Sequence, residues 1–151
     1  MKSSWCRQPG RRRQGQRGNA IIEASLLAPW MLFLFVGVLD LGFYTHAAIA
    51  TENAARVAAQ YGAAGAGTAG DSAGACTYAL QEALSLPGLT SGMSCTSLPF
   101  IVTVTPVAGP DGTAASSASV TYQTIPMIPI PGLLTGRLTL TRTAEMKVKN
   151  N

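Results

Sequence analysis

Gly18-Asn19-Ala20-Ile21-Ile22-Glu23 opens the stretch that decides the fold. It runs through an uncharged block, residues 24–39, into Ala47-Ala48-Ile49-Ala50 and then Ala54-Ala55-Arg56-Val57-Ala58-Ala59-Gln60-Tyr61. As a helix the uncharged block spans about 24 Å, a little short of a hydrocarbon core of about 30 Å. Adding Ala20 to Ile22 and Leu41 to Tyr44 gives a full crossing, with Glu23 near one end and Asp40 near the other. Alanine is the best helix former, and Glu52 and Arg56 form an i,i+4 pair of the favourable orientation, so the helix should continue past the apolar block. Gly62 and the Gly/Ala-rich residues after it should stop it.

Charge divides sharply at the start of this helix. Of the chain's 11 Lys and Arg, six (Lys2, Arg7, Arg11, Arg12, Arg13 and Arg17) precede Gly18 without a single acid among them. The other five share residues 19–151 with all seven acids, a net of −2, so the formal +4 of the whole chain belongs to the leader. Cations stacked before an apolar helix predict a cytoplasmic N-terminus and an outer C-terminus. An acidic balance on the remainder argues against a nucleic-acid-binding face. Trp30 falls within the apolar block, whereas Phe43 and Tyr44 suit the outer interface.

Three features of the helix invite a role. Glu23 is an ionisable residue at the membrane edge, which is costly there and is a functional hypothesis by default; the plainer alternative is that it reaches to the headgroups. Pro29 removes a backbone donor and favours a kink over residues 25–29, unless it is simply tolerated in the first turns. Ala20, Ala24 and Ala28, and again Ala50, Ala54 and Ala58, form small-xxx-small rows that permit close helix approach, the second against partners or against the chain's own sheet.

Counting from Gly18 sharpens the reading of Glu23. A cut after Gly18 would make Asn19 the first residue and Glu23 the fifth, the arrangement of type IV pilin-like precursors. Over residues 15–61 the quoted segments, with Gly37-Val38-Leu39-Asp40-Leu41-Gly42 between them, resemble the TadE-like family, minor pilins (pseudopilins) of the tight-adherence secretion and Flp pilus system. Gln60 stands where that family usually has Arg, and Ala24 where it usually has Phe. The resemblance implies processing at Gly18 and Asn19 by a prepilin peptidase. It also implies helix assembly through Glu23, Pro29 and Asp40, and partnership with other pilin-like subunits and the pilus machinery in the bacterial inner membrane. A free α-amino group of one subunit could pair with the Glu23 carboxylate of its neighbour in a low-dielectric bundle.

Two other readings stay open. Ala48-Ile49-Ala50 is an A-x-A site after a basic and an apolar region, which would describe a signal peptide and a secreted domain released after Ala50. A single-pass membrane protein with an extracytoplasmic ligand-binding domain, unconnected with any filament, would need no cut at all.

The chain thus divides into a basic cytoplasmic leader (1–18), a transmembrane and extended Ala-rich helix (19–62) and an extracytoplasmic domain (63–151). Residues 62–74 read as a flexible linker. A short helix is predicted over residues 77–86, ended by Pro87-Gly88, and three antiparallel strands near residues 100–105, 116–124 and 137–148. Gly109-Pro110-Asp111-Gly112 marks a turn, and Pro126, Pro129 and Pro131 an irregular loop. The fold class is α+β and pilin-like. Cys76 and Cys95 suit a disulfide if the domain is exported, the alternative being two buried thiols; Cys6, in the leader, follows Ser3-Ser4-Trp5 and forms no lipobox.

Nothing here reads as an enzyme. His46 is the sole histidine, so neither a His-based metal site nor a Ser-His triad can be assembled. The remaining acids lack ligand spacing, no glycine loop has a phosphate-binding context, and no cofactor is called for.

Overall fold

The computed structural model describes residues 16–126 and 136–149, and of residues 16–19 the backbone alone. Cys6, most of the leader, and Pro129 and Pro131 of the expected loop lie outside the described residues. Helix α1 spans Gln16–Gly62 and α2 spans Ser72–Ala83; strands β1 (Thr96–Ser97), β2 (Phe100–Ala108), β3 (Ala114–Gln123) and β4 (Thr139–Lys147) follow. The fold is α+β, as the alternating strand patterns and the long apolar helix predict.

Two compact units divide the chain, one ending at Val38 and the other beginning at Leu39. In the first, α1 exposes Ile21, Leu26, Leu27, Trp30, Met31, Phe33 and Phe35. Pro29 sits inside the helix without ending it, and Ser25 Oγ turns back to donate to Ile22 O at 2.8 Å. An 18-residue window of α1 reaches a mean hydropathy of 2.0, with none of it buried. Among the described residues this is the one helix long and apolar enough to cross a membrane.

The second unit is built on an antiparallel sheet of order β1-β2-β3-β4. Period-two alternation puts Phe100, Val102 and Val104 of β2, Ala118, Val120 and Tyr122 of β3, and Leu140 of β4 on one buried face. The register pairs Phe100 with Tyr122, Val102 with Val120 and Val104 with Ala118, so like faces meet across the strands. Into the same core go Ala47, Ala50, Ala54, Ala55, Ala58 and Ala59 of α1 and Ala75, Ala79, Leu80 and Ala83 of α2. The second alanine row of the sequence is therefore core of the chain's own body. Ala54 and Ala58 of that row, and Ala55 and Ala59 beside them, have no exposed surface. Pro106 lies on β2 beyond the two residues that β1 covers, where its missing donor costs no ladder bond on that side.

The structure corrects two expectations. Residues 62–74 are not a free linker. The Thr68 hydroxyl accepts from Gly65 N at 3.1 Å, the Ser116 hydroxyl donates to Ala69 O at 3.4 Å, and Lys149 N donates to Ala63 O at 2.9 Å. Small residues here permit close packing on the sheet, which composition alone reads as looseness. Likewise α2 begins at Ser72, five residues before the expected start, because Asp71 caps it: Oδ1 accepts from Ala73 N at 3.1 Å and Gly74 N at 3.0 Å. Strand β1, only two residues long, carries too short a pattern to be read from sequence.

The hairpin between β2 and β3 follows the Gly109–Gly112 signal. Gly112 takes φ of 72°, and Gly109 N donates to Thr113 O at 2.7 Å. Asp111 accepts from the Thr113 hydroxyl at 2.6 Å and from Lys147 Nζ at 2.9 Å, and these bonds pull its carboxyl far below the usual range.

Candidate functional site

The sequence-derived positions fall into three places. Gly18 and Asn19 lie in the opening turns of α1, so the helix begins at Gln16, ahead of the expected junction. With no acid in its first turn, that end of α1 lacks a charge to complement its dipole. Glu23 follows one helical turn after Asn19, with Ile21 and Ile22 exposed before it and Leu26 and Leu27 after it. Pro29 shares a shallow exposed patch with Trp30 and Phe33.

Cys76 and Cys95 are joined, with their Cα atoms 5.8 Å apart. The bond ties α2 to the segment leading into β1. It closes a loop of 19 residues, where chain entropy predicts a stabilisation of roughly 3 kcal/mol.

Asp40 behaves differently from Glu23. Continuous hydropathy gives no hint of which side of α1 it faces, yet it is only 5% exposed. It lines a cavity of about 190 Å³ with Leu39, Phe43, Ala47, Tyr122 and Ile125 among its neighbours. His46 also borders this cavity, itself exposed. Oδ2 of Asp40 is buried without a hydrogen-bond partner among the described residues. The hydroxyl of Tyr122, another lining residue, is already engaged, donating to Pro87 O at 2.8 Å, and burial raises its pKa.

Sequence reading missed one pair. Tyr61, on the last turn of α1, donates its hydroxyl to Asp71 Oδ2 at 2.8 Å, and its ring lies 5.1 Å from that of Tyr78. The Asp71-Ser72 N-cap signal was there to find; the Gly/Ala composition around it concealed the helix start. Among the described residues no three of His, Cys, Asp and Glu gather closely enough to hold a metal ion.

Against known proteins, residues 18–60 match the family model TadE, described as TadE-like protein. The match covers the expected junction, Glu23, the apolar span and most of the alanine-rich continuation of α1. No curated protein and no solved structure matches the chain.

Proposed function

From the TadE-like segment at residues 18–60, we propose that this chain is a minor pilin-like subunit of a tight-adherence (Flp) pilus system. At family level that segment supports involvement in such a system. In this reading α1 anchors the chain in a bacterial inner membrane, its basic leader in the cytoplasm and its disulfide-bonded body outside. A prepilin peptidase cuts after Gly18. The new α-amino group of Asn19 and the Glu23 carboxylate then join helices of neighbouring subunits.

The observation that carries the reading is the coincidence of two stretches. The residues that match the family include the exposed apolar part of α1, a surface that none of the other described residues covers. Lipid and other helices are the surroundings such a surface fits. The role is one of assembly, not catalysis.

The mass of the mature N-terminus tests the proposal. Asn19 at the terminus is the expected result. An intact leader would favour an uncut single-pass protein. Thr51 would favour a secreted body, although that cut would strip Ala47 and Ala50 from the core. Replacing Glu23→Ala should abolish co-purification with other pilus subunits, since removing one member of a buried ion pair costs about 3–5 kcal/mol. Undiminished co-purification would rule out the packing role of Glu23.

A further inference from the structure

The two edges of the sheet are finished differently. The edge at β2 is closed. There β1 pairs with its first two residues, Cys95 O accepts from Val102 N at 2.9 Å, and the Ser72 hydroxyl accepts from Val104 N at 2.9 Å. Pro106 then has no N–H to offer. At the other edge, Thr124 N donates to Leu138 O and Val148 N to Ala114 O, so the even-numbered residues of β4 carry its bonds to β3. The backbone N–H and C=O groups of Thr139, Thr141, Thr143, Glu145 and Lys147 point away from β3, and among the described residues none of these amides has an acceptor. Register with β3 holds without a bulge from Thr139 to Lys147. Such a row of open backbone groups is a template for a further strand.

The chain has little with which to cover that row. Residues 127–135 join Pro126 to Gly136, a reach of at most about 36 Å. Running from the level of Leu138 to that of Thr143 and back takes roughly 33 Å, and crossing β4 from β3 adds about 10 Å, so the edge from Thr143 to Lys147 is beyond that segment. Residues 1–15 lie across the membrane in the topology proposed above. A second copy does not fit either. Its β2 edge is closed, and pairing β4 with β4 needs a two-fold axis normal to the sheet. That axis reverses the α1 segment that packs along the sheet through Ala50, Ala54 and Ala58, whereas copies in one membrane share one direction of α1.

Charge describes the occupant that remains. Arg142 reaches this edge, donating to Thr141 O at 3.2 Å. It shares the single carboxylate of Glu52 with Arg56, at 3.9 and 3.2 Å, which leaves one positive charge unmatched. Ala144 and Met146, half-buried, continue the core face of β4 beside it. We propose that β4 accepts an extended segment of a different exported protein as a fifth strand, with a carboxylate facing Arg142 and apolar side chains beside Ala144 and Met146. The proposal rests on the membrane-spanning reading of α1, which sets aside the leader and a second copy.

Two synthetic nine-residue peptides test it on the full-length chain in detergent. Both alternate valine and threonine, beginning and ending on valine; one carries glutamate in place of its central valine, the other lysine. By fluorescence anisotropy the glutamate peptide should bind about tenfold more tightly, an attraction exchanged for a repulsion of similar size. Arg142→Gln should bring the two toward parity. N-methylation of the threonine amides, which face β4 in this register, should abolish binding, and N-methylation of the valine amides should not. Residue-resolved hydrogen exchange of the free chain should be fast at Thr143, Glu145 and Lys147 and slow at Arg142, Ala144 and Met146, with the peptide slowing the first three. Slow exchange at those three without peptide, equal affinity for the two peptides, or indifference to which amides are methylated overturns the strand site alone. A Thr143→Cys chain, in a Cys6→Ser background, that crosslinks to its own copy through position 143 overturns both the site and the shared direction of α1.

Discussion

Tyr61 and Asp71 join the two helices through a single carboxylate. Oδ2 of Asp71 accepts from the Tyr61 hydroxyl at 2.8 Å, while Oδ1 accepts from the amides of Ala73 and Gly74. The last turn of α1 is thus bonded to the cap of α2, and the chain between them is held short. Gly74 makes room for the arrangement: a Cβ there would collide with both the Tyr61 hydroxyl and the Asp71 carboxylate.

Gly74→Ala should therefore destabilise the body. Helix propensity alone predicts the opposite, a gain of about 1 kcal/mol for Ala over Gly in a helix interior. A thermal midpoint below that of the native chain, measured on full-length protein in detergent, is the expected sign. A higher midpoint would mean that the Tyr61–Asp71 contact yields without cost.

The same bond makes stability depend on pH at both extremes. Asp71 is held below its ordinary value of 3.8, first by the Gly74 amide and then by the Tyr61 hydroxyl. Tyr61 is pushed above its ordinary value of 10.0, chiefly by the bond to Asp71. A lowered carboxyl contributes fully above its unfolded value and loses its contribution as pH falls through the folded one. A raised phenol contributes fully below its unfolded value and loses its contribution as pH rises through the folded one. Tyr61→Phe should accordingly lower the thermal midpoint near neutrality, with the gap to the native chain closing in strong acid and strong alkali. A gap independent of pH would show that the ring's packing on Tyr78 matters and the hydroxyl does not.

Reducing the Cys76–Cys95 bond should cost roughly 3 kcal/mol, from the entropy of the reopened loop. Denaturant unfolding of the native chain with and without reductant measures it, and Cys76→Ser with Cys95→Ser should match the reduced form. An unchanged midpoint would mean that the Leu86 and Leu89 contacts hold this loop by themselves.

Leucine should be tolerated very differently at two alanines of α1. Ala58 has no exposed surface and meets the sheet, so Ala58→Leu should overpack the core and cost about 1–3 kcal/mol. Ala24 lies on the exposed apolar span, so Ala24→Leu should leave the body's unfolding midpoint in place. Equal effects at the two positions would contradict the division of α1 into a span and a core segment.

The sequence alone determined what depends on composition and period. Residues 24–39 carry no charge, so any fold must leave them to an apolar environment, and the early Glu23 and the glycine before Asn19 are legible in the same stretch. Strands β2, β3 and β4 alternate with period two, which fixes their inward faces before any partner is known. The Cys76–Cys95 bond follows from two cysteines in a domain expected outside the cytoplasm. Tertiary structure decided the rest. In a helix apolar on all sides, period cannot say which face meets the body, so the burial of Asp40 becomes visible only in the folded body, where it lines one cavity with Tyr122 and Ile125. The Gly/Ala run after Gly62 has the composition of a loose linker, yet its backbone is bonded to β3 and to Lys149 because small residues alone can lie that close to a sheet. Both outcomes depend on contacts between residues distant in the chain, and local pattern carries no record of them.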